Sequence, residues 1–401
     1  MSATISAPAA SPAPASPAPA GSVSAAMPAA GIADPRRYFE EVGRERSAVA
    51  EAPPVCLYLE VTNRCNLLCE TCPRTFEELE PPADMDWALF TRIVDQVPDI
   101  ARVVLHGVGE PMLVAELPRM IRYLKDRGTY VLFNTNGTLL RPSGFQALID
   151  TGLDELRVSL DAADRASYLR VRGRDFFDRI VRDVGKFVAF QARTGATTPR
   201  VSLWLTGMKE TVEQLPAFVR LAAEMGVREI HLQRLVFDEA GYGLARAGSS
   251  LFESTQAEEQ AAIAAARQEG AALGVTLDAS GATEPGLSLR RRTAEQPSAG
   301  LVSADQTPVD QTPMDQPPMD QPWATCRRPW SLMYFTAHGR ALPCCIAPFS
   351  ARGYGNYTLG DATQQSLRGI WNSDAYRGFR TALLSDAPPA PCRNCGLRWS
   401  L

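Results

Sequence analysis

The sequence predicts an α/β fold, a parallel sheet wound with helices, followed by a small cysteine-rich unit. Three observations predict it. Six short apolar, β-branched runs recur along the first two thirds of the chain. Amphipathic helical patterns separate them, and five of the nine cysteines fall after Trp323. Strands that alternate with helices pair in parallel through right-handed crossovers. In sheets of this kind, chemistry gathers at the carboxyl ends of the strands.

Taken in order, residues 1–33 repeat Ala, Pro and Ser and cannot bury enough apolar area to fold, so a disordered tail is expected. DPRRYFEEVGRERSAVAE, 34–51, suits a short amphipathic helix with Asp34 as N-cap and Pro35 at its first position. Strands are expected at 55–61, 102–107, 129–134, 155–160, 200–205 and 229–235. Helices are expected near 87–96, 115–127, 142–151, 177–194 and 211–225, with a last one over 254–273. These make one domain over 34–278. Periodicity then vanishes over 279–322, where DQTPV, DQTPM, DQPPM and DQPWA form a repeat too short and too polar for a solenoid unit. A low-complexity linker is expected there. Residues 323–401 form the second ordered unit.

Composition narrows the function. A net charge of −4 with both signs scattered offers no basic stripe for nucleic acid. No run is long and apolar enough to span a membrane, and the N-terminus lacks the basic and apolar regions of a signal peptide. A cytoplasmic protein is expected. Thiols stay reduced there, so nine cysteines read as metal ligands or reactive groups rather than disulfides.

LEVTNRCNLLCETCPRTF places Cys65, Cys69 and Cys72 with CxxxCxxC spacing in the loop leaving the first strand. Three thiolates on a tight loop can cap three irons of a cubane and leave the fourth open. Spacing alone also suits a zinc site with a fourth ligand from elsewhere. The motifs that follow decide between them. HGVGEPML comes after the second strand, NTNGTLL after the third, RVSLDAAD at the fourth, and SYLRVRGRDFFDRI beyond it. Each alone is a common turn. In this order, they resemble the radical S-adenosylmethionine (SAM) superfamily, over residues 55–235.

That resemblance implies a partial (β/α)6 TIM-like barrel with Cys65, Cys69 and Cys72 holding a SAM-binding [4Fe-4S] cluster. It implies that the region of Gly109 and Glu110 receives the amino group of SAM. Asn136 and Gly137 match the family's TNG turn. Ser159 and Asp161 are implied contacts to the methionyl or ribose part, and either Arg170 or Arg172 to the carboxylate. Thr71 stands where the family often has an aromatic residue near adenine. In such enzymes SAM chelates the open iron, and an electron from the cluster cleaves its C5′–S bond. The resulting 5′-deoxyadenosyl radical takes hydrogen from an unactivated C–H bond, which requires a site closed to water. An electron donor such as flavodoxin or ferredoxin is implied as a partner.

The C-terminal unit carries Cys326, Cys344, Cys345, Cys392 and Cys395. A hairpin is legible in apolar 332–336, a turn at His338–Gly339 and a return to Cys344. A CxxC pair plus two cysteines brought back by a hairpin can complete a four-thiolate site, for a cluster or for a structural zinc. The segment resembles the SPASM and twitch extensions of radical SAM enzymes. By that likeness Cys326, Cys344, Cys392 and Cys395 ligate one auxiliary [4Fe-4S] cluster in electron transfer. Cys345 is the spare, although it can exchange roles with Cys344. Cys56 reads as a small core residue.

The three histidines carry less. His106 either faces the active site or caps a turn, His231 reads as a satisfied strand residue, and His338 as part of the hairpin turn. Gln233 and Arg234, ending the sixth strand, are candidate contacts to SAM or substrate. The first functional expectation is hydrogen abstraction from a sugar, aminocyclitol or similar natural-product carbon. The one-auxiliary-cluster pattern, which resembles an aminocyclitol dehydrogenase, points that way. The alternative is a SPASM-type peptide maturase forming a crosslink or thioether on a ribosomal precursor. A non-enzymatic zinc-ribbon interaction protein is the third.

Overall fold

The computed structural model describes residues 46–251, 257–278, 323, 326–393 and 395. The expected tail over 1–33, the linker over 279–322 and most of the expected 34–51 helix lie outside the described residues. Residues 46–51 themselves are irregular rather than helical.

All six expected strands form: β1 (Cys56–Leu59), β2 (Arg102–Val104), β3 (Tyr130–Thr135), β4 (Glu155–Ser159), β5 (Arg200–Gly207) and β6 (Glu229–Arg234). They pair in parallel in sequence order. A short seventh strand, β7 (Thr276–Asp278), extends the edge beside β6. Helices α1 (Trp87–Val94), α2 (Leu117–Lys125), α3 (Phe145–Ile149), α4 (Arg165–Arg172), α5 (Phe177–Thr194), α6 (Leu215–Glu224) and α7 (Ala257–Leu273) cross between them. Of these, α4 was not expected as an element. Its ends follow ordinary rules: Asp164 accepts from the Ser167 N–H at the N-cap, and Gly173 closes it at φ +70°.

Strand alternation divides the sheet into two unlike faces. Outward residues such as Leu57, Val103, Phe133, Val158, Leu203 and Leu232 are buried with the helices in the main core. The inward row mixes apolar Cys56, Tyr58, Val104 and Leu132 with the buried, charged Arg102, Glu155 and Arg157. Toward the carboxyl ends of the strands it turns polar. His106, Asn134, Ser159, Thr206, His231 and Gln233 lie there, each partly open to solvent. The barrel interior is thus reachable from its carboxyl rim.

The C-terminal unit joins this sheet instead of standing apart. Its hairpin, β8 (Leu332–Phe335) and β9 (Arg340–Leu342), turns at Gly339 with φ +87°. Strand β8 pairs in parallel with β1, from Cys56 opposite Leu332 to Leu59 opposite Phe335. A two-residue strand, β10 (Gly360–Asp361), completes a ten-stranded sheet. The second of the two expected ordered parts caps the free edge of β1, which removes an exposed parallel edge. Helices α8 (Leu367–Trp371) and α9 (Asp374–Leu383) then bury Leu367, Trp371, Tyr376 and Leu383 in the same core. No described helix is long and apolar enough to cross a membrane.

Candidate active site

The loop leaving β1 is pinned along its length. Thr62 donates to Asp84 (2.7 Å), the Glu110 N–H to the Arg64 carbonyl (2.8 Å) and the Glu70 N–H to the Val171 carbonyl (2.8 Å). Two glycines permit this approach. A Cβ on Gly109 would stand 2.2 Å from the Thr62 carbonyl oxygen, and one on Gly173 would stand 2.4 Å from that of Leu68. The strand-end turns and the α4 terminus are therefore pressed against the cysteine loop.

Each cysteine of the loop has its own setting. The Asn136 side-chain amide points at Cys65 Sγ at 3.8 Å, and Arg172 Nη1 at Cys69 Sγ at 3.8 Å. Cys72 caps the four-residue helical turn Pro73–Phe76. Burial, with Cys69 adding to it, pushes the Cys72 thiol up to about 12. Burial likewise raises Cys69, with Arg172 opposing. A buried thiol resists ionising unless a cation takes the charge, so this donor set suits thiolates bound to metal. Amide and guanidinium donors aimed at ligand sulfurs are the contacts that tune an iron–sulfur cluster. Among the described residues no three His, Cys, Asp or Glu side chains converge on one metal ion.

Glu110 is almost fully buried and already committed. Its Oε1 accepts from the Met112 N–H (3.0 Å) and the Thr135 hydroxyl (2.8 Å), and its Oε2 from the Asn136 N–H (2.7 Å). Burial still raises its proton affinity against these donors. The carboxylate thus braces the β2 and β3 ends together. Asp161, 2 % exposed, pairs with Arg172 at 2.7 Å and accepts from the Thr206 N–H at 2.8 Å. Ser159 ends β4 on the inward face.

Arg170 has to be corrected. It lies on the outer side of α4 and is exposed, and among the described residues it reaches only the Glu210 carbonyl, at 3.4 Å. The buried face of α4 carries Ser167, Tyr168, Val171 and Arg172, so helical phase selects Arg172. Gln233 faces inward, while the side chain of Arg234 lies outside the described residues. Thr71 leaves the aromatic position to others: Phe76 and Tyr242 pack at 5.6 Å, and Tyr242 lies near enough to Cys72 to feel its charge. Nothing in the local motif pointed to Tyr242, which arrives on the loop after β6.

In the C-terminal unit, Cys326, Cys344, Cys392 and Cys395 form one electrostatic group. Cys392 is raised by burial and then by the other three, and Cys344 by burial, Cys345, Cys395 and Cys326. Cys326 is pushed up to about 11 by burial, with Cys395 adding to it. The Ser350 hydroxyl, donating to the Pro391 carbonyl (2.8 Å), ties the hairpin side to the CxxC turn. Cys345 looks elsewhere, accepting from Arg328 Nη1 at 3.3 Å and facing Cys56 and Tyr58. Four thiols grouped in this way, with Arg328 opposing the burial of Cys326 and Cys344, fit a fully thiolate-ligated cluster. Cys56 is wholly buried in β1, and His338 bonds the Pro81 carbonyl at 2.8 Å from the hairpin turn.

The family model of the radical SAM superfamily matches residues 59–222, and that of the SPASM iron–sulfur cluster-binding domain matches 326–396. The chain belongs to the radical SAM superfamily. This radical SAM protein is an enzyme with a C-terminal SPASM domain; such domains hold [4Fe-4S] clusters, and SAM is the superfamily's co-substrate. The zinc-ribbon alternative is thereby set aside.

Relatives include the PqqA peptide cyclase of Gluconobacter oxydans, 24% identical over 86% of this chain and 83% of that one. The tungsten-containing aldehyde ferredoxin oxidoreductase cofactor-modifying protein of Pyrococcus furiosus is 31% identical over 45% of this chain. That match spans about half of the Pyrococcus protein, 51%. Among solved structures, Streptococcus suis SuiB bound to S-adenosylmethionine superposes with a TM-score of 0.56 at 16% identity, over 84% of this chain and 72% of that one. SuiB has also been solved with its precursor peptide SuiA.

Proposed function

We propose that this radical SAM enzyme modifies a peptide, abstracting hydrogen from a residue of a ribosomal precursor and forming a new bond there. The observation that carries this reading is the span of its likeness to PqqA peptide cyclase, which runs through both the barrel and the SPASM segment. A sugar or aminocyclitol substrate, the first expectation from sequence, has no comparable support. An open cleft of about 580 Å³ lies between the loop after β6 and the SPASM unit, with Asp238, Arg352, Tyr357 and Arg393 among its lining residues.

When bound, the first cluster supplies reductive cleavage of SAM to the 5′-deoxyadenosyl radical. The chain's own residues hold the parts in place. In this reading Gly109 and the backbone beside Glu110 receive the SAM amino group, with Glu110 itself bracing the turn. Asn136, Ser159 and Asp161 line the rim, and Arg172 holds charge beside Cys69. Cys326, Cys344, Cys392 and Cys395 would hold the auxiliary cluster, which would supply electron transfer there. Reduction comes from a flavodoxin- or ferredoxin-like donor, in the cytoplasm.

The test is anaerobic incubation of the reconstituted enzyme with SAM, dithionite and the peptide encoded beside its gene. A mass loss of two hydrogens on the peptide, matched by 5′-deoxyadenosine, is expected. An unmodified peptide, together with oxidation of an aminocyclitol under the same conditions, overturns the reading.

A further inference from the structure

Below the rim, the inward face of the sheet carries a stack that neither cluster uses. Arg157 lies over the Trp204 ring at 4.2 Å, and Trp204 stacks on His231 at 4.5 Å and 26°. The register sets this order, with Ser159 opposite Trp204, and Trp204 opposite His231. Arg157 stands two residues before Ser159 on β4. It is therefore roughly 7 Å deeper in the barrel than Ser159.

The polar atoms of this wall are only partly satisfied. Arg157 Nε donates to Glu155 Oε1 at 2.8 Å, and this is the one hydrogen bond of its guanidinium among the described residues. Both ring nitrogens of His231 are buried without a hydrogen-bond partner, and so is Nδ1 of His106 across the lumen. Carboxylates stand 3.9 Å from each His231 nitrogen, Glu229 on one side and Asp278 on the other, beyond bonding distance. Burial, with Arg157 adding to it, holds both histidines down at about 4, so both are neutral near pH 7. Glu155 is spoken for: burial alone would raise it, but Arg157 and Arg200 pull it down to about 2. Arg102, also on this face, is fully buried and none of its guanidinium nitrogens has a hydrogen-bond partner. Buried polar groups left so are costly unless a ligand or water meets them.

We propose that the Arg157–Trp204–His231 wall is a specificity site that receives an acidic side chain of the substrate. The guanidinium offers its terminal N–H groups to the carboxylate. The neutral imidazoles add N–H donors without requiring the carboxylate to share a second fixed charge. Trp204, held between Arg157 and His231, fixes the position of both polar groups. The site rests on the peptide reading above.

The test uses the full chain with both clusters reconstituted and SAM present. The probes are fluorescein-labelled Gly-Gly-Glu-Gly-Gly and its Gln- and Leu-centred counterparts, read by anisotropy. The Glu probe is expected to bind roughly tenfold tighter than the others, the scale of one charge-assisted pair. Arg157→Gln should erase that preference, Arg157→Lys retain part of it, and His231→Gln reduce it. If Arg157→Gln does not fold, by circular dichroism, His231→Gln decides. Equal binding of the three probes, no binding of the Glu probe, a preference that survives the variants, or displacement of the Glu probe by SAM overturns the proposal. Glutarate is the control for the underlying reading. If it binds as tightly as the Glu probe and with the same dependence on Arg157, the acid site stands and the peptide reading falls. If a precursor peptide is processed while the Glu preference is absent, the reverse holds.

Discussion

At the barrel mouth, Cys65, Cys69 and Cys72 sit among groups lent by several strand ends, whereas Cys326, Cys344, Cys392 and Cys395 answer mainly to one another. The first set has three thiols and two polar donors aimed at them, from Asn136 and Arg172. The second has four thiols, and its neighbouring cation, Arg328, bonds Cys345 and also acts on Cys344, Cys395 and Cys326. Three thiols with polar surroundings leave room for a co-substrate at the fourth iron. In the proposed assignment four thiols leave none, which would confine the second site to moving electrons. The difference between the sites is one of ligand count and of what stands beside the sulfurs.

The strongest way to break this comparison is to remove one ligand from each site. Cys69→Ser should abolish 5′-deoxyadenosine formation, measured by chromatography, with iron content falling by about half. Cys392→Ser should lower iron similarly and stop product formation, yet leave SAM cleavage in place. Equal loss of cleavage in both variants would show that the two sites are not functionally distinct.

Next in size is the buried pair. Arg172→Gln leaves Asp161 without its partner, and breaking such a pair costs about 3–5 kcal/mol. A lowered denaturation midpoint and a marked drop in SAM cleavage are expected. Arg170→Gln, on the exposed side of α4, should change neither. Asn136→Ala removes the amide beside Cys65, a bond worth about 1 kcal/mol, and should slow cleavage only several-fold with a small shift in the cluster's absorption.

The smallest effect concerns Glu60, which lies between the two regions. Its Oε2 accepts from the Val108 N–H (2.9 Å) and the Tyr334 hydroxyl (2.8 Å), and its Oε1 from the Ala337 N–H (3.2 Å). Burial pushes it up to about 7, above its ordinary value of 4.5, against those donors. The folded state thus binds the extra proton between those values. This contribution to stability is full below pH 4.5 and is lost as pH rises through about 7. Thermal unfolding between pH 5 and 8 should show a midpoint that falls with rising pH in the wild type and less steeply in Glu60→Gln.

How far the sequence foretold this molecule differs by element. The six core strands and the cysteine loop were legible because alternation and CxxxCxxC spacing are local signals. Helix α4 was legible too, in Asp164 and Gly173, and using those caps would have chosen Arg172 over Arg170. The pairing of β8 with β1 was not, because Cys56 and Leu332 meet across a separation no local pattern encodes. Glu60 gave a faint sign: it continues the inward row of Cys56 and Tyr58, an odd place for a carboxylate. The Arg157–Trp204–His231 stack needed three strands in register before its members could meet.

The β1–β8 ladder has a consequence for electron flow. Cys344 follows β9 by two residues, and the loop bearing Cys65 leaves β1, so main-chain hydrogen bonds within one sheet set the spacing of the two iron–sulfur centres. Tunnelling rates depend steeply on that spacing.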